Sequence, residues 1–127
     1  MREPIKVRES AENYLKTILI LQERLGEVRS VDVANELGVS KPSVSVAVAK
    51  LCKEGLVDRD ENRNLVLTKD GLAYAASLFE RHTVLEKFLV GFLNIDQETA
   101  HSDSCRLEHS LSAKTLSRIR ELNEEQA

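Results

Sequence analysis

Cysteine is scarce in this chain. Its 127 residues hold two, Cys52 and Cys105, and they fall in different segments. That excludes a disulfide scaffold and makes a reducing cytoplasm the expected compartment. With two prolines, five glycines and no low-complexity stretch, the chain is expected to be ordered up to a frayed tail, NEEQA. No apolar run approaches the 18 or so residues of a membrane span. The start, MREPIKVRES, has no apolar signal-peptide core. There is no glycine-rich phosphate loop and no HExxH. An excess of positive charge is missing too, since the formal net charge is −3. The halves differ: residues 1–70 carry 12 Lys/Arg and 12 Asp/Glu, net 0, and residues 71–127 carry 6 and 9, net −3. The first half is therefore the better candidate for meeting phosphates, and only locally.

What is present reads as helices. Residues 10–25, SAENYLKTILILQERL, place Tyr14, Leu15, Ile18, Leu19, Leu21 and Leu25 near helical spacing, with Ser10 as N-cap and Gly26 as stop. Ser30 can cap a short second helix that Gly38 closes. Ser40 can cap a third, with Pro42 in its first turn, a buried stripe of Val44, Val48 and Leu51, and Gly55 as stop. LVDRDENRNLVLT reads as a β-hairpin around DENRN. A long helix follows from Lys69 to Leu93, apolar over an unusually broad side that includes Phe79, Leu85, Phe88, Leu89 and Phe92. Asp96 can cap a fifth helix through Leu111, and Ser112 a sixth that ends near Glu121.

Helix, short helix, tight turn, helix and hairpin together make a winged helix-turn-helix. The third helix would point its N-terminal N–H groups, around Ser40, Lys41 and Pro42, towards phosphate. Ser43 and Ser45 are small enough for close approach, and Val46 suits a thymine methyl. Lys41, Lys50 and Lys53 supply sequence-independent attraction, and Arg59 and Arg63 sit on the wing. The competing reading is an ordinary helical pair with a solvated lysine face. Helix-turn-helix units also serve as protein–protein modules, so fold alone does not establish DNA binding.

The segment HSDSCRLEH concentrates chemistry. On a helix, His101, Cys105 and Glu108 follow at i, i+4 and i+7 and share a stripe about 60° wide, with His109 on its shoulder. His82 and Glu86 form an i, i+4 pair on the preceding long helix, and all three histidines lie between residues 82 and 109. Singly, a core histidine, a buried thiol and a solvated glutamate are the ordinary readings. Jointly, imidazole, thiolate and carboxylate on neighbouring helices suit a first-row divalent transition metal better than magnesium or calcium. Cys105 and His109, at i and i+4, also have the spacing of a nucleophile pair. No third orienting group or oxyanion-hole motif accompanies them, so catalytic residues are not assigned and an enzyme is not expected.

The strings AENYLKTI, VANELGVSKPSVS, LVLTKDG, ERHTVLEKFL and DSCRLEHSLS resemble the diphtheria toxin repressor and manganese transport regulator family of bacterial metal-dependent repressors, from about Ser10 to Leu122. The resemblance implies a primary, activating metal site at Cys105, Glu108 and His109, with Asn13 at a position that is usually Met or Asp. It implies an ancillary site at His82, Glu86 and His101. Cysteine at 105, where manganese-specific members typically carry a carboxylate, implies iron(II) ahead of manganese(II). Lys16 stands where the binuclear manganese type has a glutamate, which argues against that centre. The chain resembles a short form without the SH3-like domain that completes the ancillary site in longer relatives.

The resulting expectation is a mainly α protein: a winged helix-turn-helix domain over 1–70 and an all-helical metal-binding and dimerisation domain over 71–127. It would be a cytoplasmic homodimer that represses transcription on a palindromic double-stranded operator when loaded with Fe(II) or Mn(II), with no membrane partner and no organic substrate. The rivals are a metal-independent winged-helix regulator and a thiol-based redox sensor that uses Cys105.

Overall fold

The structure is a computed structural model that describes the backbone of residues 5–126 and the side chains of residues 8–126. The first four residues of the start MREPIKVRES and the last residue of NEEQA therefore lie outside the described residues. The described residues form six helices and one hairpin: α1 (Ile5–Leu25), α2 (Ser30–Leu37), α3 (Lys41–Lys53), β1 (Val57–Arg59), β2 (Leu65–Leu67), α4 (Lys69–Gly91), α5 (Gln97–Leu107) and α6 (Ala113–Glu125). Mainly α is the fold class observed. No helix among the described residues is long and apolar enough to cross a membrane.

The chain divides into two compact units, one spanning Lys6–Ala76 and another that begins at Ser77, so the division falls inside α4. The first unit has a core of Tyr14, Leu15, Ile18 and Leu21 from α1, Val33 and Ala34 from α2, Val44, Val48 and Leu51 from α3, and Val57, Leu65 and Leu67 from the hairpin. Each fully buried Val or Leu contributes about 1.5–3 kcal/mol over the exposed state. Leu25, expected to belong to the α1 stripe, is 52% exposed, because it lies on the last turn before Gly26 breaks the helix at φ 83°. The antiparallel hairpin pairs Val57 with Leu67, Asp58 with Val66 and Arg59 with Leu65. Leu65 also donates to the Val28 carbonyl at 2.7 Å. Asp60 holds the turn by accepting from the backbone of Asn62 and Asn64, each at 2.9 Å. These bonds, that of Asn64 above all, hold its carboxyl below the ordinary value.

Several caps stand where the residue types suggest. Ser40 accepts from Ser43 N–H, Asp96 from Thr99 N–H and Ser112 from Thr115 N–H. Gly38 adopts the left-handed conformation that closes α2. Others differ. Ser10 is not an N-cap, since α1 already runs from Ile5 and Ser10 is interior to it. Ser30 is the first residue of α2, and Arg29 is the N-cap, its N–H bonded to the Asp32 carboxylate at 2.9 Å. Helix α5 stops at Leu107 rather than Leu111, and α6 continues to Glu125 rather than Glu121. Asn123, expected in a frayed tail, is buried and donates to the Val84 carbonyl at 3.0 Å, which fixes the end of α6 on α4.

The α4 entry is tight. Thr68 Oγ1 donates to the Gly55 carbonyl at 2.7 Å and accepts from Gly71 N–H at 3.0 Å. A Cβ at Gly71 would lie 1.9 Å from the Leu56 carbonyl oxygen. In an ordinary helix Gly→Ala is stabilising by about 1 kcal/mol. Here overpacking against backbone reverses the sign, so Gly71→Ala should destabilise by about 1–3 kcal/mol. Gly91→Ala, whose Cβ would meet only the Gln126 side chain at 3.5 Å, should be neutral or mildly stabilising. Thermal unfolding of the two variants side by side checks the pair of signs.

Candidate metal centre and nucleic-acid interface

In the first unit the N-terminus of α3 is open to solvent. Ser40, Lys41, Pro42, Ser43 and Ser45 are exposed, Lys50 is half-buried, and Val46 is 73% exposed. Val46 is two residues from both Val44 and Val48, about 200° round the helix, so these two take the buried stripe and leave it on the outer face. With Ala11, Tyr14, Pro42 and Ala47 it borders a groove of about 610 Å³ between α1 and α3. On the hairpin, Arg63 is exposed with φ 64°. Arg59 is half-buried and already employed, donating to the Arg63 carbonyl at 3.0 Å and to Ser30 Oγ at 3.4 Å. Its guanidinium braces the wing against the start of α2. Asn13 is half-buried on α1, also in the first unit.

The remaining ligand-type residues belong to the second unit, where α4 supplies His82 and Glu86, α5 supplies His101 and Cys105, and the turn after α5 supplies Glu108 and His109. His82 is the hub. Its Nδ1 lies 3.1 Å from Glu108 Oε2 and 3.9 Å from Cys105 Sγ, and its Nε2 lies 2.9 Å from Glu86 Oε2. Cys105 Sγ is 3.8 Å from His101 Nε2. His101 Nδ1 is 3.8 Å from Glu86 Oε2. Donor atoms of His82, His101 and Cys105 all lie within 4.8 Å of one another. Glu108 and His109 are buried, with His109 Nε2 3.3 Å from Glu108 Oε1. Six residues thus form one continuous cluster.

Two local features set this geometry. Glu108 is the C-cap of α5 and keeps a near-helical φ of −58° and ψ of −25°. The i, i+4, i+7 direction therefore persists one residue past the helix. Asp96 caps the other end of α5, and the Thr99 N–H bond holds its carboxyl below the ordinary 3.8. Because folding lowers that value, the cap's contribution is present above pH 3.8 and fades only as pH falls below it.

Three supporting residues escaped the spacing argument. Arg81 donates to the backbone carbonyl of Glu108 at 2.8 Å and of Leu111 at 3.4 Å, which pins the turn that carries Glu108 and His109. Gln97 donates to Glu86 Oε1. Asn123 ties α6 to α4. None has a periodic signature, since each bonds across elements.

The donor set is three imidazoles, one thiol and two carboxylates, which fits a borderline transition metal. The comparisons point the same way. Residues 6–65 match the family model described as the N-terminal DNA binding domain of iron dependent repressors, and residues 68–126 match the metal binding and dimerisation domain. An Escherichia coli transcriptional regulator MntR is 36% identical over 113 residues, which cover 89% of this chain and 72% of that protein. This chain belongs to the iron-dependent repressor family. The diphtheria toxin repressor of Corynebacterium efficiens is 32% identical over 114 residues, 90% of this chain and 50% of that repressor. The solved manganese regulator SloR superposes with a TM-score of 0.77 at 35% identity and covers 90% of this chain. The chain spans about half the length of that structure, 53%.

Glu108→Ala removes a buried carboxylate that faces both His82 and His109. It should weaken binding of Co(II) or Mn(II) by about tenfold or more. Asp103→Ala, which loses only a surface pair with Arg106, should leave affinity unchanged. Anaerobic calorimetric titration of both variants separates a ligand cluster from a general acidic face.

Proposed function

We propose that this chain is a metal-responsive transcriptional repressor that binds a palindromic operator as a dimer when charged with a divalent ion. The observation that carries the reading is the pairing, in one family-matched chain, of an exposed helix-turn-helix surface with a cluster of imidazole, thiol and carboxylate donors. Fe(II) is the favoured ion and Mn(II) the alternative, because the thiol of Cys105 is a softer donor than manganese ordinarily selects. Cys105, Glu108 and His109 are assigned to activation, and His82, Glu86 and His101 to the ancillary ion. Asn13 is assigned as a further oxygen donor on family resemblance alone. The cytoplasm is the proposed compartment, where the thiol stays reduced.

The chain's residues divide the work. Ser43, Ser45 and Val46 face the base edges, and Ser40, Lys41, Pro42 and Lys50 with Arg63 meet phosphate, while Arg59 positions the wing. The ion supplies positive charge at the cluster and fixes its donors in one arrangement. Linkage does the rest: if metal raises operator affinity, operator raises metal affinity by the same factor, with a coupling of about 1–3 kcal/mol.

Operator binding should be strong in Fe(II) or Mn(II) and lost in chelator under anaerobic conditions. Equal affinity in both would favour the metal-independent rival. Cys105→Asp should keep the metal response and shift it towards manganese, while Cys105→Ala should largely abolish it. A normal response in Cys105→Ala removes Cys105 from the activating site. Electrophoretic mobility shift with each ion reads all of these outcomes.

The dimer has its own ground. Phe88 and Leu89 on α4, and Phe92 just past its end, which falls at Gly91 rather than Leu93, are half-buried, and Leu93 is 53% exposed, an apolar face that a two-fold copy can cover. Sedimentation of the metal-free protein at micromolar concentration should give a dimer. A single species at the chain mass of 14.3 kDa would show instead that metal drives association.

A further inference from the structure

We propose that Thr68 and Gly71, at the entry to α4, form the junction through which metal occupancy is read as operator affinity. Thr68 is its positioning residue. The proposal rests on the repressor reading above and assigns the coupling that reading requires to named groups. LVLTKDG, the segment that holds both residues, belongs neither to the ligand cluster nor to the DNA-reading face.

One hydroxyl carries the joint. A threonine hydroxyl has a single donor and two acceptor lone pairs. Thr68 Oγ1 donates to the Gly55 carbonyl at 2.7 Å and accepts from Gly71 N–H at 3.0 Å. The first bond reaches the exit of α3, and the second caps the first turn of α4. Thr68 N–H also donates to the Leu56 carbonyl at 3.1 Å. That carbonyl lies so close to Gly71 that a Cβ there would stand 1.9 Å from its oxygen. Only glycine lets the two backbones meet at this point.

Both ends of the joint are fixed. Gly55 N–H bonds back to the Cys52 carbonyl at 3.1 Å, and Leu56 N–H to the Leu51 carbonyl at 3.0 Å. The segment that Thr68 grips is therefore an extension of α3. On the other side, Tyr74 donates to the buried Glu12 carboxylate of α1, and Ala75 is fully buried in the same core. The opening turns of α4 thus belong to the DNA-binding unit, which ends at Ala76.

Helix α4 nevertheless runs without a break from Lys69 to Gly91 and carries His82 and Glu86. The helix that supplies metal ligands therefore meets the end of the helix that presents Ser43 and Val46. Hydrogen bonds to backbone carbonyls are directional. A shift of α4 at this end must move the exit of α3 or break them. Held by an ion, His82 and Glu86 restrain α4, and the junction passes that restraint to the reading helix. Without the Thr68 hydroxyl both helices keep their places in the apolar core but lose the directional link. Uncoupling is then expected without unfolding.

Thr68→Val in the metal-stripped chain tests this, since valine keeps the branched shape and loses the hydroxyl. The probes are Mn(II) and a palindromic duplex selected from random sequence by the Mn(II)-loaded parent. Fluorescence anisotropy reads duplex affinity in Mn(II) and in chelator, and calorimetry reads Mn(II) affinity without DNA. Thr68→Val should lower the Mn(II)-induced gain in duplex affinity by about fivefold or more. Duplex affinity in chelator and Mn(II) affinity without DNA should stay unchanged. Thr68→Ser, which keeps donor and acceptor, should restore the gain. Thr68→Ala is run beside the valine variant, and whichever of the two unfolds cooperatively on heating is read. A parent-like gain in that variant overturns the junction. So does an equal loss of duplex affinity with and without Mn(II), which marks a merely structural role. Indifference of the parent itself to Mn(II) would strike the repressor reading, and the junction with it.

Discussion

The His82 imidazole carries the metal-binding unit, because each of its ring nitrogens faces a different carboxylate. Nδ1 meets Glu108 at 3.1 Å and Nε2 meets Glu86 at 2.9 Å. An imidazole has two nitrogens pointing in divergent directions, so one ring on α4 can order both the turn after α5 and the next turn of its own helix. Glu108 has almost no contact with solvent, and a buried carboxylate is tolerated only with compensating partners. Arg81 adds positive charge to the same turn, although its donors reach the backbone carbonyls rather than the carboxylate. The cluster is thus arranged around groups that gain from a cation, and binding one would also stabilise the unit that holds it.

The parts of this arrangement that were legible in the sequence are those written in local chemistry. Ser40, Asp96 and Ser112 cap helices because a short polar side chain reaches the N–H three residues on. Gly26, Gly38 and Gly55 stop helices with positive φ. The convergence of His82, Glu86, His101, Cys105, Glu108 and His109 followed from period and proximity. What remained hidden depends on tertiary partners. Ser10 had the type of a cap, yet α1 extends past it. Asn123 looked like tail, but the Val84 carbonyl fixes it in a buried place. Arg81, Gln97 and Thr68 act on backbone or carboxylate groups of other elements, and no periodicity encodes such bonds.

The division of the cluster into two ligand groups came from family resemblance, and the distances do not reproduce it as a gap. His82 and Cys105 stand closer to members of the opposite group than a two-centre plan requires. Without an ion to impose coordination geometry, donor side chains settle on their mutual hydrogen bonds. Such a resting arrangement records which donors can reach one another, and so which alternative coordination shells the backbone permits.

Selectivity then has a physical basis that affinity alone cannot supply. Nitrogen and sulfur donors bind zinc more tightly than manganese or iron(II) in nearly any arrangement. A regulator built from such donors must therefore distinguish ions by what each geometry leaves in place. Glu108 faces two histidines at once, with Oε2 3.1 Å from His82 Nδ1 and Oε1 3.3 Å from His109 Nε2, so one buried carboxylate joins the two ligand groups.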